Sequence, residues 1–343
     1  MTPDPSFFFQ THGHREALAA LLYAVREEKG FIVLTGDAGS GKTTLLSSLL
    51  RMIPSTQAVF SLVFSPTVSP DEFLELALLD FGIEEIRSSK AWRLRKLQEL
   101  VMEAHTAGRT CVLVVDEAHK LSAEVLEEIR LLTNFENAER KLLQIVLAGQ
   151  PELRSTLNAE NLRQLKQRIA VRCQLQALSN AEVVQYIHFR WLKAGGRQEP
   201  PFDQDALQII AHVSGGLPRV INALCDNALL LIYGAGDTLV TAVHVRQVAR
   251  DLDLGEVEWQ TAAPNGTPAL ARLNLPSPVP VGDFRATRVP CPAANPQRRI
   301  MKTMAALNQL MRAAGTYILN GPRPLPLQIS EKPTMTNEEQ ESL

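Results

Sequence analysis

The sequence predicts an α/β fold: a parallel sheet covered by helices on both faces, followed by an all-helical segment. Three observations carry that expectation. Apolar runs and helical stretches alternate as far as about residue 178, the pattern of βα units. Two runs, Phe31 to Thr35 and Cys111 to Val115, are apolar without polar alternation, as central strands buried on both faces require. From about residue 179 to 253 only helical periodicity remains.

In chain order, Phe31 to Thr35, Ala58 to Phe64, Cys111 to Val115, Leu142 to Leu147 and Val171 to Leu175 read as strands. Between the second and third, Ser69 is placed as a capping residue, Pro70 at the first helical position and Glu72 three residues after the cap. This predicts a helix from there to about Leu79. A second helix is expected over Ala91 to His105. The all-helical segment opens with Ser179-Asn180-Ala181-Glu182 and a helix to about Lys193. It continues with helices over Asp203 to Val213, Pro218 to Tyr233 after the Gly215-Gly216 pair, and Ala242 to Leu252. Beyond residue 253, Pro264, Pro268, Pro276, Pro278, Pro280, Pro290, Pro292 and Pro296 interrupt any regular element, and a largely disordered tail is expected. The chain thus divides into residues 1–178, 179–253 and 254–343.

At 343 residues, 45% hydrophobic and 21% charged, the chain can bury one large or two smaller cores. Its 35 basic and 37 acidic residues give a formal net charge of −2, so no global field draws in nucleic acid or anionic lipid. The cysteines, Cys111, Cys173, Cys225 and Cys291, lie far apart without metal or redox spacing and read as buried thiols in a reducing compartment. No run of about eighteen apolar residues is present, and Met1-Thr2-Pro3-Asp4-Pro5 does not resemble a secretory leader; a cytoplasmic location is expected.

The first strand runs into Gly36-Asp37-Ala38-Gly39-Ser40-Gly41-Lys42-Thr43, followed by Thr44-Leu45-Leu46. This fits the phosphate-binding loop G-x-x-x-x-G-K-[ST] in its strand–loop–helix setting. Glycines let the backbone N–H groups converge on a polyphosphate, and the helix N-terminus adds positive potential. Residues Gly36 to Thr44 are therefore the candidate nucleotide cradle, with Lys42 on the β- and γ-phosphates and Thr43 on Mg²⁺. The third strand ends in Asp116-Glu117-Ala118-His119, where Asp116 is expected in the Mg²⁺ shell and Glu117 is expected to position or deprotonate the attacking water. Taken alone, each pattern has an ordinary alternative, a glycine-rich turn for the first and two solvated loop acids for the second. Their pairing favours a nucleotide site.

From Pro5 to Leu252 the chain resembles AAA+ ATPases, and within them the general secretion pathway protein A type. The resemblance rests on Glu16-Ala17, Lys29-Gly30-Phe31-Ile32-Val33-Leu34-Thr35-Gly36, Asp116-Glu117-Ala118-His119, Leu147-Ala148-Gly149-Gln150-Pro151-Glu152-Leu153, Gln167-Arg168-Ile169 and Gly216-Leu217-Pro218-Arg219. Similar modules occur in transposition helper ATPases and the origin-recognition-like group. The resemblance implies a P-loop three-layer sandwich with sheet order 5-1-4-3-2, a helical lid, and ATP with Mg²⁺ as ligands. It places Gln150 as the sensor of the attacking water or γ-phosphate, although a turn residue before Pro151 is the plain alternative. It makes Arg219 the lid arginine on the γ-phosphate, for which a planar, permanent cation is suited. It makes Arg168 the arginine that completes a neighbouring subunit's site, with Arg163 and Arg172 as rivals. It sets Phe7-Phe8-Phe9, Gln10 and His14 ahead of the first helix near the adenine, where anchoring a loose N-terminus competes with stacking on the base. His119 is expected to be structural or coupling, since Glu117 fills the role of base.

The leading expectation is Mg²⁺-dependent ATP hydrolysis to ADP and phosphate, used as a switch or motor in a homo-oligomer with an unidentified protein partner. A DNA-associated regulator such as a transposition helper, and an interaction protein gated by nucleotide with little turnover, are the competing classes. A helicase would need a second RecA-like domain that the chain does not display. Relatives of the secretion type continue into a transmembrane helix and a periplasmic peptidoglycan-binding domain; neither is visible, which leaves a role in opening the cell wall unsupported. Within the tail, residues 296–317 carry Ile300, Met304, Leu307 and Met311 at helical spacing among basic residues. Such a segment suits packing on the ATPase, a docking partner or peripheral membrane contact.

Overall fold

The computed structural model describes residues 8–64, 67–137, 140–196 and 199–254. The proline-rich tail, the amphipathic stretch at 296–317, Cys291 and Phe7 lie outside them. In chain order the elements are α1 (His12–Arg26), β1 (Phe31–Gly36), α2 (Lys42–Met52), β2 (Ala58–Val63), α3 (Pro70–Asp80), α4 (Lys90–Thr106), β3 (Thr110–Val115), α5 (Ala123–Leu132), β4 (Leu143–Gly149), α6 (Glu152–Leu157), α7 (Arg163–Gln167), β5 (Ile169–Leu175), α8 (Asn180–Lys193), α9 (Gln204–Val213), α10 (Pro218–Ala235) and α11 (Ala242–Asp251).

The five strands form one parallel sheet in the order β2-β3-β4-β1-β5, the order that the resemblance implies read from its other edge. Strands β1 and β4 are buried along their whole length, which is why their sequences are continuous apolar runs. Alternate residues feed opposite faces. Phe31, Val33, Leu113, Val115, Ile145 and Leu147 pack under α3, α4 and α5, whereas Ile32, Leu34, Val112, Val114, Val146 and Ala148 pack under α1 and α2. Burial pushes the Cys111 thiol up to about 12 and that of Cys173 up to about 11, so both behave as small apolar side chains.

Helix α3 starts where Ser69, Pro70 and Glu72 predict, with both halves of the capping box formed. Helix α8 repeats the device with Ser179 and Glu182. Most strand ends fall within one residue of the sequence expectation, and two differ by two residues. β4 continues to Gly149 because Ala148 and Gly149 still pair with Leu34 and Thr35. β5 begins at Ile169, which pairs with Phe31 ahead of a register shift that sequence periodicity does not reveal.

Helices α8 to α11 enclose their own apolar cluster around Val183, Ile210, Leu224 and Val245. A close approach of backbone joins this layer to the end of the sheet: Leu178 donates its N–H to the Gly216 carbonyl at 2.9 Å. Gly216 has φ +74°, and a Cβ there would meet the Leu178 carbonyl oxygen at 2.0 Å. Gly216→Ala is therefore expected to lower stability by at least ~2 kcal/mol, measurable as a shift of the denaturant midpoint.

Candidate functional site

The phosphate loop leaves the C-terminal end of β1 at Gly36 and enters α2 at Lys42. Asp37 and Ala38 face solvent, while Ser40 and Lys42 are buried. Gly41, the N-cap of α2, is left-handed at φ 98° and provides no side-chain cap, so the first N–H groups of the helix are not capped by a side chain. Gly39 is also left-handed, at φ +80°, and a Cβ there would sit 2.5 Å from Cβ of Arg219. The loop thus needs glycine twice, once for its turn and once for the approach of α10.

Lys42 turns back over the loop, donating from Nζ to the carbonyls of Gly36 at 2.7 Å and Asp37 at 2.9 Å. Burial lowers the pKa of this ammonium, while the carboxylates of Glu117, Asp116, Asp37 and Glu152 act in the opposite sense. Glu152, at the start of α6, is an acid that acts on Lys42 and to which its sequence motif assigned no role at the loop. The hydroxyl of Ser40 is buried and has no hydrogen-bond partner. An orphaned hydroxyl beside a lysine, at a helix N-terminus without a side-chain cap, suits an anionic oxygen ligand.

Asp116 immediately follows β3 and is 2% exposed. Its Oδ2 accepts from Thr43 Oγ1 at 2.7 Å and its Oδ1 from the Glu117 N–H at 2.8 Å. Two hard oxygen donors, a hydroxyl and a carboxylate, therefore meet next to the phosphate loop, a donor set suited to Mg²⁺. Thr44, the next residue of α2, is half-buried and accepts the Ser48 hydroxyl through its carbonyl.

Glu117 adopts a left-handed backbone, φ 56° and ψ 31°. For a residue with a Cβ this conformation costs about 1–2 kcal/mol. It turns the chain sharply after the strand, and the half-buried carboxylate comes within 3.7 Å of His119 Nε2 and 3.6 Å of Lys120 Nζ. His119 Nδ1 accepts the Gln150 N–H at 3.4 Å, so a neutral ring carries its proton on Nε2. Nε2 lies 3.1 Å from the Gln150 side-chain amide, and the orientation that satisfies both groups turns Oε1 to His119, leaving the NH₂ as a donor. His119 thus links the acid after β3 to the amide after β4.

Arg219 lies at the start of α10, and its N–H donates to the Gly39 carbonyl at 3.4 Å. Arg168 lies elsewhere. It follows α7 and immediately precedes Ile169, which pairs with Phe31 at the opposite end of β1 from the phosphate loop. At ~3.3 Å per residue that places it roughly 16 Å from its own loop. Its Nη1 donates to Thr133 Oγ1 at 2.7 Å. Arg163 is exposed at the start of α7, and Arg172 is exposed midway along the edge strand β5.

His14 belongs to the first turn of α1 rather than to the segment before it, because Thr11 caps the helix and accepts the His14 N–H. Its ring is 4% exposed, with Nδ1 2.7 Å from Thr11 Oγ1 and Nε2 3.2 Å from the Ser40 carbonyl oxygen. Phe8 meets that ring edge-on at 5.4 Å, and Phe9 packs on Tyr186 and Phe189 of α8. Both aromatics therefore contact protein, and Gln10 is exposed. Beside them a cleft of about 480 Å³ is lined by residues including Thr11, His14, Leu175, Ala177 and Glu182.

Residues 25–157 match the family model described as an AAA domain. The chain is 39% identical over 267 residues to general secretion pathway protein A of Aeromonas hydrophila, matching 76% of this chain and 48% of that protein, so it spans about half the length of that relative. It is 28% identical over 257 residues to the ATP-dependent target DNA activator B of Escherichia phage Mu, matching 74% of this chain and 75% of that protein. The Aeropyrum pernix ORC2 protein shares the fold at 16% identity, with a TM-score of 0.56 over 75% of this chain and 73% of that one. Cdc6p from Pyrobaculum aerophilum does so at 18% identity, with a TM-score of 0.56 over 72% and 71%.

Proposed function

We propose that the chain is an AAA+ ATPase of the general secretion pathway protein A type, a reading supported by the AAA-domain match over residues 25–157 and the 39% identity to that protein, and that it binds ATP with Mg²⁺ and hydrolyses it to ADP and phosphate as a conformational switch or motor. The observation that carries this is the convergence of Lys42, the orphaned Ser40 hydroxyl and the Thr43–Asp116 pair on one loop. Loop N–H groups and Lys42 would bind the phosphates, Lys42 exchanging two carbonyl partners for phosphoryl oxygens. Thr43 and Asp116 would hold Mg²⁺. When bound, the metal supplies charge neutralisation at the phosphoryl oxygens. Glu117 would accept the proton of the attacking water, and Gln150, oriented by His119, would donate its NH₂ to the water or the γ-phosphate. Arg219 would meet the γ-phosphate from the lid, so that closure of residues 179–253 on the core of residues 1–178 reports the nucleotide state. The cleft beside α1 and β5 would seat the base.

Substitution Thr43→Ala tests the metal assignment. Calorimetric titration of ATP into the wild type should show affinity that rises on adding Mg²⁺, and the variant should lose that rise. Equal responses to Mg²⁺ would remove Thr43 from the metal shell.

The identity to the secretion protein supports a secretion- or envelope-associated assembly, with this chain as a cytoplasmic homo-oligomer acting on a protein partner. No helix among the described residues is long and apolar enough to cross a membrane. The match to 75% of the phage target DNA activator favours a second reading, a regulator that assembles on DNA under ATP control. DNA retention that is ATP-dependent and falls steeply with salt would move that reading ahead.

A further inference from the structure

We propose that His14 is a positioning residue for the phosphate loop, donating from Nε2 to the Ser40 carbonyl and thereby holding that carbonyl away from the incoming triphosphate. The proposal rests on the nucleotide reading above and adds to it a residue outside the loop, 26 positions earlier in the chain.

A backbone cradle for phosphate works only while its N–H groups converge and its carbonyls point elsewhere. This loop is poorly equipped to hold that arrangement alone. Ser40 sits between Gly39 and Gly41, both at positive φ, so the peptide planes on either side of it are flanked by the least restricted residue type. Its N–H is fixed within the loop, on the Asp37 carbonyl at 3.1 Å. Its carbonyl is fixed from outside, by His14 at 3.2 Å. The ring also backs Gly41, where a Cβ would lie 3.3 Å from Nε2.

The protonation state follows from the partners. A carbonyl oxygen can only accept, so Nε2 must carry a proton, and in the neutral ring Nδ1 then accepts from the Thr11 hydroxyl at 2.7 Å. Burial favours that neutral form and lowers the pKa of His14, opposed by its bond to Ser40 and by the Glu182 carboxylate. The Ser40 carbonyl therefore selects the tautomer, Thr11 and Phe8 hold the ring plane, and the ring in turn holds the orientation of the Ser40 peptide. The N-cap of α1 and the phosphate loop become one hydrogen-bonded unit.

The test uses the 343-residue chain and its variants His14→Phe and His14→Gln. The first keeps an aromatic ring against Phe8 and removes both nitrogens; the second returns an amide donor. Dissociation constants are measured by calorimetry for Mg-ATP and for inorganic tripolyphosphate, which engages the loop without a base, with thermal midpoints recorded in parallel. His14→Phe should weaken both ligands by a similar factor of about tenfold, the worth of one lost hydrogen bond at a buried site, and His14→Gln should recover most of it. A lowered midpoint with both affinities unchanged would make His14 a packing residue and overturn the proposal. Weakened ATP with unaltered tripolyphosphate would assign the residue to the base and overturn it equally. Wild-type protein that bound neither ligand would overturn the nucleotide assignment itself, and this role with it.

Discussion

Glu117→Gln is expected to cut ATP turnover by about 10²–10⁴-fold while leaving ATP bound, the span that a positioned general base contributes. The backbone gives the reason for expecting so specific a loss. Glu117 keeps a left-handed conformation at φ 56° immediately after the buried Asp116, where a glycine would be more comfortable. Strain of this kind persists where its surroundings enforce it and is concentrated at functional sites. Here the Glu117 N–H is held by Asp116 Oδ1, and the side chain lies close to His119 and Lys120. Glutamine preserves the size and the backbone bond and removes the negative charge, and with it the capacity to take a proton. Filter binding of labelled ATP beside a turnover assay separates the two effects. Loss of binding together with turnover would show that the carboxylate serves ligand capture rather than proton removal.

Arg168→Ala is expected to lower turnover by about 10³–10⁵-fold, the worth of an arginine supplied to a transferring phosphoryl group, and to be rescued by a second inactive variant. The sheet geometry dictates the form of the experiment. Arg168 stands at the far end of β1 from its own phosphate loop, so it can serve a nucleotide only in another copy. A 1:1 mixture of Arg168→Ala and Glu117→Gln subunits, each inactive alone, would pair an intact Glu117 with a neighbour's Arg168 at about one site in four if subunits mix at random in a closed ring. Activity near that fraction is the expected result. A mixture as inactive as its components would place the arginine outside the reaction. Rescue with Arg163→Ala or Arg172→Ala, but not with Arg168→Ala, would transfer the role. The bond from Arg168 to Thr133 fixes the direction of its guanidinium, whereas Arg163 and Arg172 are exposed, which makes the comparison informative.

Much of this architecture was legible in the residues. The covered strands announced themselves as unbroken apolar runs because both faces of β1, β3 and β4 are buried, and Ser69 and Ser179 marked helix starts through local hydrogen bonds. The loop from Gly36 to Thr43 and the Asp116-Glu117 pair stood out because the nucleotide chemistry proposed for them requires fixed residue types at fixed spacing. Sheet order came through resemblance, since periodicity says which segments are strands but not which are neighbours. What stayed hidden depends on contacts between distant parts of the chain. His14 touches Ser40, Arg219 abuts Gly39, and Arg168 reaches Thr133, pairs that no local pattern connects. The left-handed turn at Glu117 was likewise invisible, because a glutamate at that position carries none of the compositional signal that a glycine would.

The central claim is Mg²⁺-dependent ATP hydrolysis completed between neighbouring copies, and its most direct test is the turnover rate per subunit as protein concentration rises, with light scattering on the same samples. The account predicts that the rate per subunit climbs and then levels as the scattered mass grows from one chain to an assembly. A constant rate from a species that remains monomeric would contradict the shared site, and no turnover from a fully assembled, ATP-bound protein would contradict hydrolysis itself.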